Sequence, residues 1–255
     1  MVSYKFVSQL GLRLEGRILS LVEDPLKGWF GDLSISNEAF KKTLKLHRNE
    51  ARNCAIIRNA VICIEYLLRD KQIVNNTLEE VKADFEASLF SATHGFYKYS
   101  MNALRSALEV CFEGLFYHFK PTKYNDWLQG TRGRVDIKSS FRSLRKKSSS
   151  LKAYDEKHSL LGEVYDGLYA SLSLFVHTHG QRCLEIEKRG DIVPHYNSQA
   201  FDEWYMAYKK TFEVIATSFL VIFPQILTSR DKCVNDIVNS LPKERLKTIT
   251  EISSS

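Results

Sequence analysis

Two short runs of polar side chains have the spacing to meet between helices. Arg105 and Glu109 are four residues apart, so on a helix they share one face. Tyr169, Ser173 and His177 repeat at the same interval. Facing one another, these side chains would form a buried polar network, which is a candidate for acid–base chemistry. The simpler interpretation is an intrahelical ion pair, worth about 0.3 kcal/mol, beside a histidine at a helix end, and we favour it.

Positive charge is concentrated in residues 132–152, named here the basic segment. It holds eight cations against the single acid Asp136, whereas the whole chain has a net charge of +6. Such a pattern predicts a salt-sensitive, sequence-independent contact with the phosphate backbone of DNA or RNA. A solvated linker and a docking site for an acidic protein are the alternatives. The cations are Arg132, Arg134, Lys138, Arg142, Arg145, Lys146, Lys147 and Lys152.

The signatures of most enzyme classes are absent from the sequence. It contains no P-loop, no glycine-rich dinucleotide motif, no nucleophile elbow and no H-E-x-x-H helix. His177, His179, Cys183 and His195 have spacings that zinc accepts, but a polar helix end beside a loop cysteine explains them more simply. We therefore predict neither a metal site nor a cofactor.

Cysteine usage and hydropathy bear on the compartment. The five cysteines are an odd number, scattered and without C-x-x-C, which argues against a disulfide framework. The N-terminus lacks the pattern of a signal peptide. The longest apolar stretch, residues 214–227, is shorter than the roughly 20 residues that span a bilayer. These features predict a cytoplasmic protein with no membrane partner.

Long amphipathic helices are the elements that position these residues. Apolar side chains recur every three or four positions through residues 40–68, 90–115 and 201–226, as in helices that bury one face. With only 12 glycines and 5 prolines, the chain lacks the turns of an all-β fold. We predict an all-α fold in a single domain over residues 1–255. It would be an elongated bundle of antiparallel helices, each roughly 25–40 residues long, with the basic segment as an inter-helix connection.

Weaker local signals predict the boundaries. We expect helices over residues 2–22 and 232–240, a loop over 120–135 and a small hairpin over 181–195. Pro224 should kink or end the third long helix.

Two of the motifs together resemble a known group of helical proteins. Residues 104–109 read LRSALE and residues 169–177 read YASLSLFVH. They resemble bacterial families related to the HEPN superfamily, in which an Arg/Glu-bearing helix packs against one ending in L-S-x-x-V-H. Those families are small helical domains of toxin–antitoxin, abortive-infection and antiviral systems, and many are RNases or RNA-binding proteins. The resemblance implies a HEPN-like portion over about residues 77–180, with C-terminal helices at 198–252 packed against it.

The chain departs from the catalytic members of that group. HEPN ribonucleases carry Arg-x(4–6)-His on a helix, and only Arg189 and His195 have this spacing here. Gly190 and Pro194 lie between them and disfavour a helix. Ribonuclease activity of the standard HEPN kind is therefore not expected.

The predicted function is that of a non-catalytic accessory subunit in a prokaryotic antiviral-defence assembly. It would contact nucleic acid through the basic segment and dock on a larger effector protein or on a second copy. Aromatic residues of the third long helix, if exposed, would suit such docking: Trp204, Tyr205 and Tyr208. One alternative is a divergent HEPN-like ribonuclease or nuclease using Arg105, Glu109, Ser173 and His177. The other is a protein-interaction module with no role on nucleic acid.

Overall fold

The described part of the chain consists of helices joined by short connections. The computed structural model describes residues 25–131, 135–176 and 195–254. Over these residues it contains no strand, so the predicted all-α fold class is confirmed. The helices are α1 Pro25–Leu46, α2 Arg48–Leu67, α3 Gln72–Thr93, α4 Tyr97–His118, α5 Pro121–Leu128, α6 Ile137–Lys147, α7 Ser149–His158, α8 with a π-helical part Gly162–Tyr169 and an α-helical part Ala170–Val176, α9 Ser198–Ile222, α10 Gln225–Thr228, α11 Val234–Asn239 and α12 Lys243–Ser253.

The hydrophobic core is organised around α4. Every residue from 110 to 117 is buried, and α4 packs against α3, α6, α8 and α9. The contact with α3 is close at Gly114, where a Cβ would overlap the side chain of Thr77. A larger residue at this position would push the two helices apart. Arg105 and Glu109 precede this enclosed stretch on α4, and both are half-buried.

Two of the three aromatic residues of α9 that were candidates for docking belong to the core. Trp204 and Tyr208 are fully buried. The Trp204 indole Nε1 donates a hydrogen bond to Ser88 Oγ at 2.9 Å, and Tyr208 packs edge-on against Phe85. Tyr205 is half-buried. The expectation that these rings are exposed is therefore wrong for Trp204 and Tyr208, because both lie on the side of α9 that packs against α3.

The apolar stripes run on through points where the helices stop. The first stripe crosses His47, which separates α1 from α2, and the second crosses residues 94–96, which separate α3 from α4. Gly95 makes the second break with a φ of +84°, a conformation that glycine adopts without strain. Consequently α2, α4 and α9 have 20, 22 and 25 residues, at or below the lower end of the expected range. Apolar spacing alone does not reveal a break of one to three residues.

From residue 137 onward the basic segment is almost entirely helical, so its description as an inter-helix connection is wrong for that part. Residues 137–158 form α6 and α7. The Asp136 carboxylate caps α6 by accepting from the Ser139 amide at 3.0 Å, and the Ser148 hydroxyl caps α7 by accepting from the Leu151 amide at 3.1 Å. The loop expected over 120–135 contains α5, which begins at Pro121.

Other boundaries agree with the sequence. The helix α9 ends at Ile222, two residues before Pro224, and α11 lies within the short helix expected over 232–240. The predicted helix over residues 2–22, and all of the predicted hairpin except residue 195, lie outside the described residues.

Two of the five cysteines are bonded to each other, contrary to the argument against disulfides. Cys63 on α2 and Cys233, just before α11, form a disulfide across 170 residues of sequence. Cys54 and Cys111 are buried free thiols, and burial raises the pKa of both. A pairing over so long a distance leaves no local motif, so cysteine spacing could not reveal it.

Candidate nucleic-acid interface

The position of α6 follows from three apolar side chains. Ile137, Phe141 and Leu144 are buried, and the Phe141 ring lies 5.5 Å from the ring of Phe112 on α4. The helix has five cations and no acid between residues 137 and 147. Because the apolar residues occupy one side, the cations lie along the remaining faces.

The cations of α6 and α7 divide into partnered and unpartnered groups. Arg145 Nε lies 3.1 Å from Asp155 Oδ2, and its Nη2 lies 3.4 Å from Glu156 Oε1. Lys152 lies 3.9 Å from the same glutamate. The unpartnered residues are exposed and form no ion pair within the described ranges: Arg142, Lys146 and Lys147.

Arg145 belongs to the structure of the bundle, not to a free basic surface. Its partner Asp155 is 6% exposed. The other carboxylate oxygen of Asp155 accepts a hydrogen bond from the Leu161 amide at 2.6 Å. Asp155 therefore joins α6, α7 and the start of α8. Because a buried carboxylate needs a counter-charge, Arg145 is held in place by folding.

Of the sequence-predicted nucleic-acid residues, five others remain on the described surface. Arg142, Lys146 and Lys147 are free, Lys152 is weakly paired, and Lys138 contacts an aromatic ring. Arg132 and Arg134 lie outside the described residues.

Lys138 connects α6 to a pair of tyrosines on α8. Its ammonium lies 4.5 Å from the centre of the Tyr165 ring. The Tyr165 ring stacks on that of Tyr169, with centroids 5.9 Å apart and an interplanar angle of 14°. Both tyrosines are half-buried, and both lie in the π-helical part of α8. The basic face of α6 is therefore continuous with an aromatic surface contributed by another helix.

The Arg105–Glu109 pair forms as the spacing predicts, and Tyr169 completes it. Arg105 Nη2 lies 3.0 Å from Glu109 Oε1 and donates to Tyr169 Oη at 2.9 Å. The tyrosine hydroxyl in turn donates to Glu109 Oε1 at 2.7 Å. The side chains of Arg105 and Glu109 are 17% and 28% exposed. Three groups thus share two short hydrogen bonds and an ion pair at the edge of the core.

The electrostatics of this cluster keep its tyrosine neutral and its arginine charged. Burial raises the pKa of Tyr169, and the hydrogen bond to Glu109 raises it further, against the opposing effect of Arg105. Burial lowers the pKa of Arg105, but its bonds to Tyr169 and Glu109 outweigh that effect and leave the pKa above its usual value. At neutral pH the phenol is therefore protonated and the guanidinium charged. Neither group is a nucleophile or a base in that state.

Of the remaining candidates for catalysis, Ser173 is described by the structure and does not join the cluster. Ser173 Oγ is buried and has no hydrogen-bond partner in the described part of the chain. His177 lies outside the described residues, as do His179 and Cys183 of the zinc-like set. Tyr165 was overlooked in the sequence; its only signal is its position four residues before Tyr169.

A second charged cluster lies at the other end of the π-helical part of α8. The Glu163 carboxylate pairs with both Arg245 of α12 and Lys210 of α9. Glu213 completes the cluster, 3.5 Å from Lys210 and 3.9 Å from Arg245. Two acids and two cations are therefore balanced where three helices meet.

No protein-family model, no curated protein and no solved structure matches the chain. Within the described ranges, no helix is long and apolar enough to cross a membrane.

Proposed function

We propose that this chain is a helical nucleic-acid-binding protein that contacts the phosphate backbone through the outer face of α6. The observation that carries the proposal is the uneven pairing of cations on this helix. Arg145 is paired with Asp155, whereas Arg142, Lys146 and Lys147 are exposed on a helix that contains no acid. Unpaired cations repel one another and contribute little to folding, so a polyanionic ligand is the partner that suits them.

The most direct test reverses the three free cations together. We expect Arg142→Glu/Lys146→Glu/Lys147→Glu to abolish binding to a fluorescent oligonucleotide in an anisotropy titration at low salt. Reversal at exposed positions typically changes the free energy of unfolding by only about 0.5 kcal/mol per site. With Lys138 as a fourth contact, wild-type affinity should fall with salt at a log–log slope of about −3 to −4.

The matched control reverses three exposed cations elsewhere. Arg230→Glu/Lys232→Glu/Lys243→Glu changes the net charge of the chain by the same amount. We expect it to retain at least a third of the wild-type affinity. If both triple variants lose binding equally, net charge and not α6 governs the contact. If the wild type binds no nucleic acid but loses a co-purifying acidic protein on reversal of α6, the segment is a protein docking site.

The assembly context and compartment remain part of the proposal. An accessory role in a prokaryotic defence assembly, docked on a larger partner, is supported only by the HEPN-like motifs. Cytoplasmic residence requires the disulfide to persist in a reducing compartment, where most protein cysteines are kept as thiols. Isolation from the native host, followed by identification of bound proteins and nucleic acids, tests the assembly and the partner. Alkylation of free thiols in the same preparation tests the compartment.

A nuclease is the second candidate, and one contact favours it. The Arg105–Glu109–Tyr169 cluster adjoins the basic face through Tyr165, so a bound phosphate would lie near a guanidinium and a carboxylate. We propose that the cluster is structural, because its three side chains are already engaged with one another by an ion pair and two hydrogen bonds. Incubation with single-stranded RNA and DNA should give no cleavage. Cleavage that Arg105→Lys removes without loss of fold would establish the nuclease instead.

A further inference from the structure

We propose that the ligand of α6 is single-stranded nucleic acid and that one of its bases stacks on Tyr165. This inference rests on the proposed function and adds a substrate class to it. Phosphate contacts alone accept single strands and duplexes alike. The tyrosine pair next to α6 distinguishes between them, because the face of a base is accessible only when the base is unstacked from its neighbours.

The first step of the argument is the position of Tyr165. Its half-buried ring is the point where the cationic face of α6 meets α8, since the Lys138 ammonium lies 4.5 Å from the ring centre. A strand whose phosphates follow α6 therefore passes beside this ring. Lys138 and Arg142 are four residues apart, so their Cβ atoms are about 6 Å apart along one side of the helix.

The second step is the rigidity of the ring. Tyr165 stacks on Tyr169 at an interplanar angle of 14°, and Tyr169 is held by hydrogen bonds from Arg105 and to Glu109. The stacking contact restricts the Tyr165 ring, and the hydrogen bonds restrict the Tyr169 ring. A ring already fixed in the free protein loses little further entropy when a base is added. The Arg105–Glu109–Tyr169 cluster thereby supports a stacking surface.

The third step is the exchange of Lys138 for a base. A cation over an exposed aromatic ring is worth about 2- to 5-fold in an equilibrium constant. A base stacked on an aromatic side chain is worth about 5- to 150-fold. The base is the stronger partner, so it displaces the ammonium. Lys138 is then free to pair with the adjoining phosphate, and the strand gains two contacts for the loss of one.

The experiment compares Tyr165→Leu with Tyr165→Phe on matched oligonucleotides. We expect Tyr165→Leu to weaken binding to a 12-nucleotide single strand by about 5- to 150-fold, equivalent to about 1–3 kcal/mol. Its affinity for a duplex of the same sequence should change less than 2-fold. Tyr165→Phe keeps the ring and should remain within about 3-fold of the wild type on both ligands.

A strand of abasic sites gives a second test that needs no change in the protein. It has the same phosphates and no bases, so the wild type should bind it as weakly as Tyr165→Leu binds the normal strand. Equal wild-type affinity for abasic and normal strands would overturn the stacking proposal, as would equal losses on single strand and duplex in Tyr165→Leu. Either result leaves the α6 contact standing. Binding that survives reversal of Arg142, Lys146 and Lys147 overturns the proposed function itself.

Discussion

The basic face of α6 and the Glu163 cluster are both rich in charge, but only one of them is neutralised. Around Glu163, two acids and two cations join α8, α9 and α12, and the side chains of Arg245 and Glu163 are 14% and 19% exposed. On α6, three exposed cations form no ion pair with any acid in the described ranges. Balanced charges between helices complete their contacts when the chain folds. The three exposed cations of α6 still lack a counter-charge among the described residues, which makes this face the better candidate for a ligand.

Removal of the disulfide should have the largest effect on the free energy of unfolding. Cys63 and Cys233 close a loop of 170 residues. A cross-link of that length stabilises by up to about 5 kcal/mol through restriction of the unfolded chain. We expect Cys63→Ser/Cys233→Ser to lose about 2–5 kcal/mol in urea unfolding and to bind nucleic acid as the wild type does. An equal loss in the wild type under reducing conditions is the internal control.

The next largest effect should come from breaking the balanced cluster. Glu163→Gln removes one carboxylate and leaves Lys210 and Arg245 to share Glu213. Because removal of one partner strands a partly buried charge, we expect a loss of about 3 kcal/mol in the free energy of unfolding. Asp166→Asn is the control, since this exposed acid lies on the same π-helical part. Equal stability of the two variants would contradict a stabilising role of the Glu163 cluster between the helices.

Two arginines of α6 sharpen the comparison within one helix. Arg145→Gln leaves the buried Asp155 carboxylate without its ion pair, and we expect a loss of about 2 kcal/mol in stability. Arg142→Gln should change stability by less than about 0.5 kcal/mol but weaken nucleic-acid binding more than Arg145→Gln does. Thermal unfolding and anisotropy titrations on both variants measure the two properties. The reverse ranking in either measurement would contradict the division into partnered and free cations.

The smallest effect is the pH dependence of the Glu163 cluster. Burial raises the pKa of Glu163, but the hydrogen bonds and charges of Lys210 and Arg245 outweigh burial and bring it below the ordinary value of 4.5. A carboxyl group with a depressed pKa stabilises the fold above its unfolded pKa, and this contribution is lost as the pH falls through the folded value. The free energy of unfolding should therefore decline below pH 4.5, and less steeply in Glu163→Gln. Parallel curves for variant and wild type would exclude Glu163 as a source of that decline.

The helical character of the chain was readable from local patterns, and so was one part of the candidate site. The interval of three and four between apolar residues places residues 201–222 in α9 and residues 97–115 in α4. The Arg105–Glu109 pair was also predictable, because both residues lie on one helix and four positions always bring them to the same face. Charge counting identified the basic segment as well. None of these inferences needed a contact between distant residues.

Tertiary structure decided which of these features have partners. No local pattern shows that Asp155 uses Arg145 while Arg142 stays free, that Tyr165 reaches Lys138, or that Cys63 meets Cys233. The break at His47 likewise lies where the sequence has neither glycine nor proline. Periodicity and composition report what one segment prefers, whereas pairing depends on distances between segments, and only the packed helices set those distances.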